Sequence, residues 1–161
     1  MFEKVLIAED HESSNISVRK ALEDCGVANN DYVFYCDDAL LRIRQALKAD
    51  TPYDLLITDL SFEEDGTPQK ICNGIDLIKT VRDLQPGIKI LVFSVDGKPA
   101  VVDCLFKELC INAFVRKARR DVTELKLALE AVSKGRKYLS TGLRQSIKES
   151  NTYDFKEYDI T

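Results

Sequence analysis

Apolar residues along this chain fall into two alternating kinds of run. Short continuous runs occur at "KVLIA" (4–8), "YDLLIT" (53–58), "KILVFS" (89–94) and "NAFVRK" (112–117). A short apolar run bounded by turn signals reads as a strand buried on both faces. A fifth run, "DYVFYC" (31–36), is more polar but rich in β-branched and aromatic residues, which favour strands. Between these lie stretches with apolar residues at helical spacing. They are 14–26 (Ile16, Leu22, Cys25), 38–49 (Ala39, Ile43, Ala46, Leu47) and 74–85 (Ile75, Leu77, Ile78, Val81, Leu84). Two more are 99–110 (Val101, Val102, Leu105, Phe106, Leu109) and 121–134 (Val122, Leu125, Leu129, Val132). Ser13 or Ser14 suits the N-cap of the first helix, and Gly26 and Gly135 suit helix stops.

Five strand runs alternating with five helical runs predict an α/β fold, a parallel sheet with helices on both faces. Right-handed crossovers leave few topologies, and a doubly wound five-stranded sheet of order 2-1-3-4-5 follows. Length supports one domain of ordinary size, since 161 residues at 45% hydrophobic and 31% charged can bury a core. The net charge of −4 argues against a chain that binds nucleic acid by itself. It is unevenly spread: residues 134–148 carry five basic residues and no acid. The five cysteines form no C-x-x-C pair, so free thiols in a reducing cytoplasm are expected. No apolar run approaches the ~18 residues of a membrane span.

The chemistry lies at the carboxyl ends of the strands, where open α/β sheets place ligands. The first strand ends in Glu9 and Asp10, the third in Asp59, the fourth in Ser94 and the fifth in Lys117. Asp59 there is either a turn cap or a reactive carboxylate, and Glu9 and Asp10 are either helix caps or ligands. In the expected order, Asp10 and Asp59 meet at the switch point. Converging carboxylates call for a cation. Hard oxygen donors suit Mg²⁺. A metal, an ammonium and a hydroxyl around a carboxylate are what a phosphoryl group needs.

The ordered set "VLIAEDH", "DLLITDLS", "ILVFS" and "AFVRKA" resembles the receiver domain of two-component response regulators, with its flavodoxin-like fold. The likeness covers residues 4 to about 134. It implies a bacterial, cytoplasmic signalling domain, not an enzyme beyond catalysing its own phosphotransfer and dephosphorylation. It implies that Asp59 accepts phosphate from a cognate sensor histidine kinase. It further implies that Asp10, Asp59 and the Ser61 backbone carbonyl ligate Mg²⁺, with Glu9 acting through water. Ser94 and Lys117 would hold the phosphoryl oxygens, and Phe114 would stand at the aromatic switch position. "G-x-x-Y-L-S" at Gly135–Ser140 is similar to the NarL/FixJ type, which continues into a helix-turn-helix domain. The expected organisation is therefore a receiver over 1–134 and a C-terminal helix and linker over 135–161. In that helix Leu139, Leu143 and Ile147 would form one face. Homodimers on phosphorylation, DNA contact only through a domain missing from this chain and no membrane association follow from the same resemblance.

The chain departs from the pattern in three places. Gly74 stands fifteen positions past Asp59, a loop about seven residues longer than the common pattern. That insert bears on metal access or partner contacts. Ala118 follows Lys117 where a proline is common, leaving the usual cis peptide open. Val95 replaces a smaller residue beside the pocket. Alternatives are a stand-alone receiver working through protein contacts and a haloacid-dehalogenase-like phosphatase. The latter needs an acid two positions past the nucleophile, where Ser61 stands. Neither glycine-rich nucleotide motif is present. The one histidine, His11, is expected to face solvent, and not to carry phosphate itself.

Overall fold

In a computed structural model, which describes residues 1–144, the alternating runs form a parallel sheet between two layers of helices. In chain order the elements are β1 (Val5–Ala8), α1 (Glu12–Asp24), β2 (Asn30–Val33), α2 (Cys36–Lys48), β3 (Leu55–Thr58), α3 (Gly74–Leu84), β4 (Lys89–Ser94), α4 (Pro99–Lys107), β5 (Ala113–Arg116), α5 (Asp121–Ser133) and β6 (Tyr138–Leu139). The sheet order is β2-β1-β3-β4-β5-β6, with all pairs parallel. The expected 2-1-3-4-5 order is present, and β1 and β3 are neighbours at the switch point.

The continuous apolar runs are explained by the two layers. Val5, Ile7, Leu55, Ile57, Leu91, Phe93 and Val115 face α1 and α5, meeting Val18, Leu22, Leu125 and Leu129. Leu6, Ala8, Leu56, Ile90, Val92 and Phe114 face the other way, meeting Ile43, Leu77, Ile78, Val102 and Phe106. Strands covered on both sides cannot alternate apolar with polar. Each fully buried Leu, Ile or Phe contributes about 1.5–3 kcal/mol through apolar burial. That term fixes both the layering and the register.

Several boundaries differ from expectation for local reasons. Helix α1 starts at Glu12 with His11 as N-cap, not Ser13 or Ser14. The chain turns as soon as the acidic pair is passed, because the His11 N–H is taken up by Glu9 Oε1. Strand β2 stops at Val33, and Cys36 is buried in the first turn of α2. Helix α4 ends at Lys107, and Cys110 beyond it takes a left-handed conformation, φ 53°. Gly26 and Gly135, at φ 79° and 78°, follow helix ends as expected. No peptide bond among the described residues is cis.

The sheet has six strands, not five. Tyr138 and Leu139, read from sequence as part of a helix, pair with Ala113 and Phe114. Tyr138 N–H donates to the Asn112 carbonyl and Ser140 N–H to that of Phe114, both at 3.0 Å. Two residues are too few to show a strand period, and the four-residue spacing of Leu139 and Leu143 imitates a helix. Residues 141–144 are helical, and the Leu143 side chain packs into the same core as Phe106, Phe114 and Leu139. It lies so close to Gly97 that a Cβ there would meet its Cδ2 at 2.5 Å. Ile147 and the linker expected beyond it lie outside the described residues.

Leu143 is therefore a core residue. We expect Leu143→Ala to lower stability by about 2–3 kcal/mol in denaturant unfolding of the whole chain. A change near zero would show that this turn does not pack on the sheet.

Candidate functional site

Three strand ends supply the site. Strand β1 delivers Glu9 and Asp10, β3 delivers Asp59, and Lys117 directly follows β5. Lys117 reaches across β4, with its Nζ 5.4 Å from the centroid of the Phe93 ring. There the ammonium lies 2.7 Å from Asp59 Oδ2 and 3.0 Å from Glu9 Oε2. Only 2% of the Glu9 side chain, 4% of Asp59 and 13% of Lys117 are exposed, so this is a buried ion triad. Such charges must be paired. Asp59 Oδ1 accepts the Leu60 N–H at 2.7 Å and, more loosely, the Ser61 N–H at 3.4 Å. Burial pushes the Glu9 carboxyl above the ordinary carboxylate range, against the pull of the Lys117 ammonium.

Asp10 sits at the outer side of the cluster. Its Oδ2 accepts the Glu63 N–H at 2.7 Å, while its Oδ1 is buried without a hydrogen-bond partner. Three acids converging here beside His11 could hold a cation. Ligand atoms of Glu9, Asp10, His11 and Asp59 all lie within 4.8 Å of one another, so this cluster has the composition and spacing to hold a metal ion. Hard oxygens of this kind match Mg²⁺.

His11 is exposed, as the sequence led one to expect, but it also belongs to the site. It is half-exposed, yet its ring does not simply face solvent. Nδ1 lies 3.0 Å from both Glu9 Oε1 and Asp10 Oδ1, and 4.0 Å from Asp59 Oδ2. Its hydrogen bond with Glu9 raises the imidazole above its ordinary value. Its position right after the acidic pair was the available signal.

The inserted loop has a defined seat. Ser61 and Asn73 bridge its two ends, and Asn73 caps α3 by accepting the Asp76 N–H. The Asp37 carboxylate accepts the N–H groups of Lys70 and Ile71 at 2.8 and 3.0 Å. Tyr35 donates its hydroxyl to Asp65. Gly74 closes the loop against Asp59: a Cβ there would fall 1.9 Å from the Asp59 carbonyl oxygen. No side chain fits without moving Asp59.

The other expected residues are placed as follows. Ser94 is fully buried, and its Oγ accepts the Asp96 N–H at 3.2 Å. The Lys117 N–H donates to the Ser94 carbonyl at 2.9 Å, joining hydroxyl and lysine through the backbone. Phe114 is fully buried on the α4 side of the sheet, away from the Phe93 ring under Lys117. Val95, 63% exposed, stands in the loop after β4.

No family model matches the chain. It is 34% identical over 134 residues to the transcriptional regulatory protein RcsB of Escherichia coli K12, and equally to that of Salmonella typhimurium. Those matches cover 83% of this chain and 57% of each relative, so the chain spans little more than half their length. Among solved structures it resembles the non-phosphorylated receiver domain of the E. coli stress response regulator RcsB. There the TM-score is 0.68 at 32% identity, covering 86% of this chain and 98% of that one. It also resembles the RcsB receiver domain of Salmonella enterica serovar Typhimurium in the presence of the phosphomimetic BeF3−. The TM-score is 0.70 at 28% identity, covering 89% and 96%.

The buried triad predicts an unusual stability phenotype. Lys117→Ala removes the ammonium shared by two buried carboxylates, so stability without divalent ions should fall by about 3 kcal/mol. Millimolar Mg²⁺ should restore much of that loss by binding the folded state. Thermal unfolding with and without Mg²⁺ checks this. An identical loss in both conditions would show that lysine and cation do not serve the same charges.

Proposed function

We propose a phosphorylation switch for this chain, which belongs to the receiver-domain family of response regulators and is related to RcsB, of the NarL/FixJ type. The observation that carries the reading is the position of Asp59: a buried carboxylate at the switch point, held 2.7 Å from the Lys117 ammonium and beside Glu9 and Asp10. A phosphohistidine of a sensor kinase is the donor. An Asp59 carboxylate oxygen attacks phosphorus, the P–N bond breaks, and the imidazole leaves with its electron pair, taking a proton. The product is an aspartyl-phosphate.

Mg²⁺, when bound, neutralises charge on the phosphoryl oxygens. Asp10, Asp59 and the Ser61 carbonyl would ligate it, and Glu9 would hold its water. Lys117 is already aimed at Asp59 and pairs with the incoming oxygens. Ser94 turns its hydroxyl from the Asp96 turn toward them, and Phe114 follows within the core. Hydrolysis of the acyl phosphate by water at the same site returns Asp59 to its free state. A phosphatase reading has no second acid, since Ser61 stands where that acid belongs.

For output we infer dimerisation on phosphorylation and regulation of transcription. One solved RcsB structure, 30% identical to this chain, contains two RcsB dimers bound to two parallel DNAs. In our reading the receiver runs past the expected boundary at 134 through β6 and Leu143, and the residues that follow couple it to a DNA-binding output. No helix among the described residues is long and apolar enough to cross a membrane.

Labelling tests the assignment. With acetyl phosphate and Mg²⁺, mass spectrometry should find one phosphoryl group, on Asp59. Asp59→Asn or excess chelator should abolish it. Labelling that survives either change rules out Asp59 as the Mg²⁺-dependent acceptor.

A further inference from the structure

We propose that the cavity between α1, the end of β2 and the inserted loop binds a small organic cation, an ammonium group on a short apolar stem. The cavity shares Asp10 with the acidic cluster. The proposal does not depend on the reading of Asp59.

The cavity measures about 610 Å³, within the ~300–1,000 Å³ usual for small-molecule sites. Such sites join apolar walls to a few placed polar groups. Asn15 of α1 is the polar group here. It lines the cavity and is only 5% exposed. Its Nδ2 donates to the Glu9 carbonyl at a long 3.4 Å. Its Oδ1 is buried and has no hydrogen-bond partner among the described residues. A buried acceptor left unpaired costs stability, and an occupant that brings a donor recovers it.

Charge says which kind of donor. The carboxylates of Asp10, Glu12, Glu63 and Asp65 line the cavity against one guanidinium, that of Arg19. Glu63 is partly engaged, with Oε1 3.4 Å from His11 Nε2. Asp65 accepts the Tyr35 hydroxyl, which holds its carboxyl below the ordinary range and so keeps it ionised. An anion is repelled by this set and a cation is attracted.

The aromatic wall selects the body that carries the charge. Tyr32 and Phe34 are 43% and 48% exposed, and their rings meet edge to face with centroids 5.7 Å apart. Ile16, on the same cavity, is 60% exposed. Apolar side chains gathered at one opening mark a contact surface. Arg19 Cζ already lies 4.8 Å from the Tyr32 centroid, so a ring of this wall takes a cation on its face. An ammonium on an apolar stem meets all three demands: a donor for Asn15, charge for the acids and a stem for the rings. Glu63 and Asp65 belong to the insert, which therefore builds one wall of the site.

Phenethylammonium is the probe. It is titrated into the full chain at saturating Mg²⁺ and followed by ¹H–¹⁵N NMR, including the Asn15 side-chain amide. We expect saturable shifts at Asn15, Ile16, Tyr32 and Phe34, and none with phenylpropionate, which carries a carboxylate on a similar stem. Asn15→Leu should weaken binding about tenfold. Phe34→Ala, at an exposed position, should weaken it about threefold. Asp59→Asn should bind the probe as the native chain does. No saturable shift, equal binding of phenylpropionate, or unchanged affinity in either cavity variant would overturn the proposal. Loss of binding in Asp59→Asn would place the cation at the acceptor and overturn it as well. Binding of a lysine peptide without binding of phenethylammonium would overturn the small molecule in favour of a protein side chain.

Discussion

One lysine holds the working end of this domain together. Lys117 lies after β5, and its ammonium satisfies Asp59 from β3 and Glu9 from β1 at the same time. It crosses β4 to do so, over the Phe93 ring. Without it Glu9 would keep only His11 and Asp59 only the Leu60 and Ser61 N–H groups, and unpaired charge in a protein interior costs several kcal/mol. The arrangement also sets what the site can do. Two buried acids share one ammonium, and Asp10 adds a third carboxylate that with Glu9 faces the His11 ring. Residual negative charge is left for a divalent ion, while Lys117 already points at the oxygen that a phosphoryl group would occupy.

The backbone around this triad ties the site to the far edge of the sheet. Lys117 N–H meets the Ser94 carbonyl, and the preceding Arg116 N–H donates to Ser140 Oγ at 2.8 Å. Ser140 N–H returns to the Phe114 carbonyl. Leu143, one turn further on, covers Gly97 in the loop that follows Ser94. The segment after β6 therefore touches both arms of the expected switch, the Ser94 loop and the Phe114–Lys117 strand. A packed core has discrete arrangements and does not deform continuously. In the proposed switch, movement of Ser94 or Phe114 would reach Ser140 and Leu143 through these contacts.

Much of this was legible in sequence because it depends on short-range patterns. Doubly covered strands must read as unbroken apolar runs, and five of them alternating with helical spacings leave little topological choice. The acids and the lysine were visible because strand ends are where an α/β sheet exposes polar groups. What escaped depends on distance in space. Tyr138–Leu139 is too short to show a period of two, and its pairing is decided by the free edge of β5. His11 was read as solvent-facing and is half-exposed, but its place right after the acidic pair also let its ring fold back over Glu9 and Asp10. The seating of the insert on Asp37 and Asp10 is likewise tertiary. Gly74, fifteen residues from Asp59 in sequence, announces only a helix start, not its closeness to the Asp59 carbonyl.

The account depends on Asp59 being the point where a phosphoryl group and its cation are received. The most direct measurement is a ¹H–¹⁵N NMR titration of the chain with beryllofluoride in the presence of Mg²⁺. The account predicts saturable shifts at the amides of Leu60, Ser61, Gly74 and Lys117, spreading to Arg116 and Ser140, and their loss in Asp59→Asn. Absence of saturable change in the native chain, or the same shifts in Asp59→Asn, would contradict it.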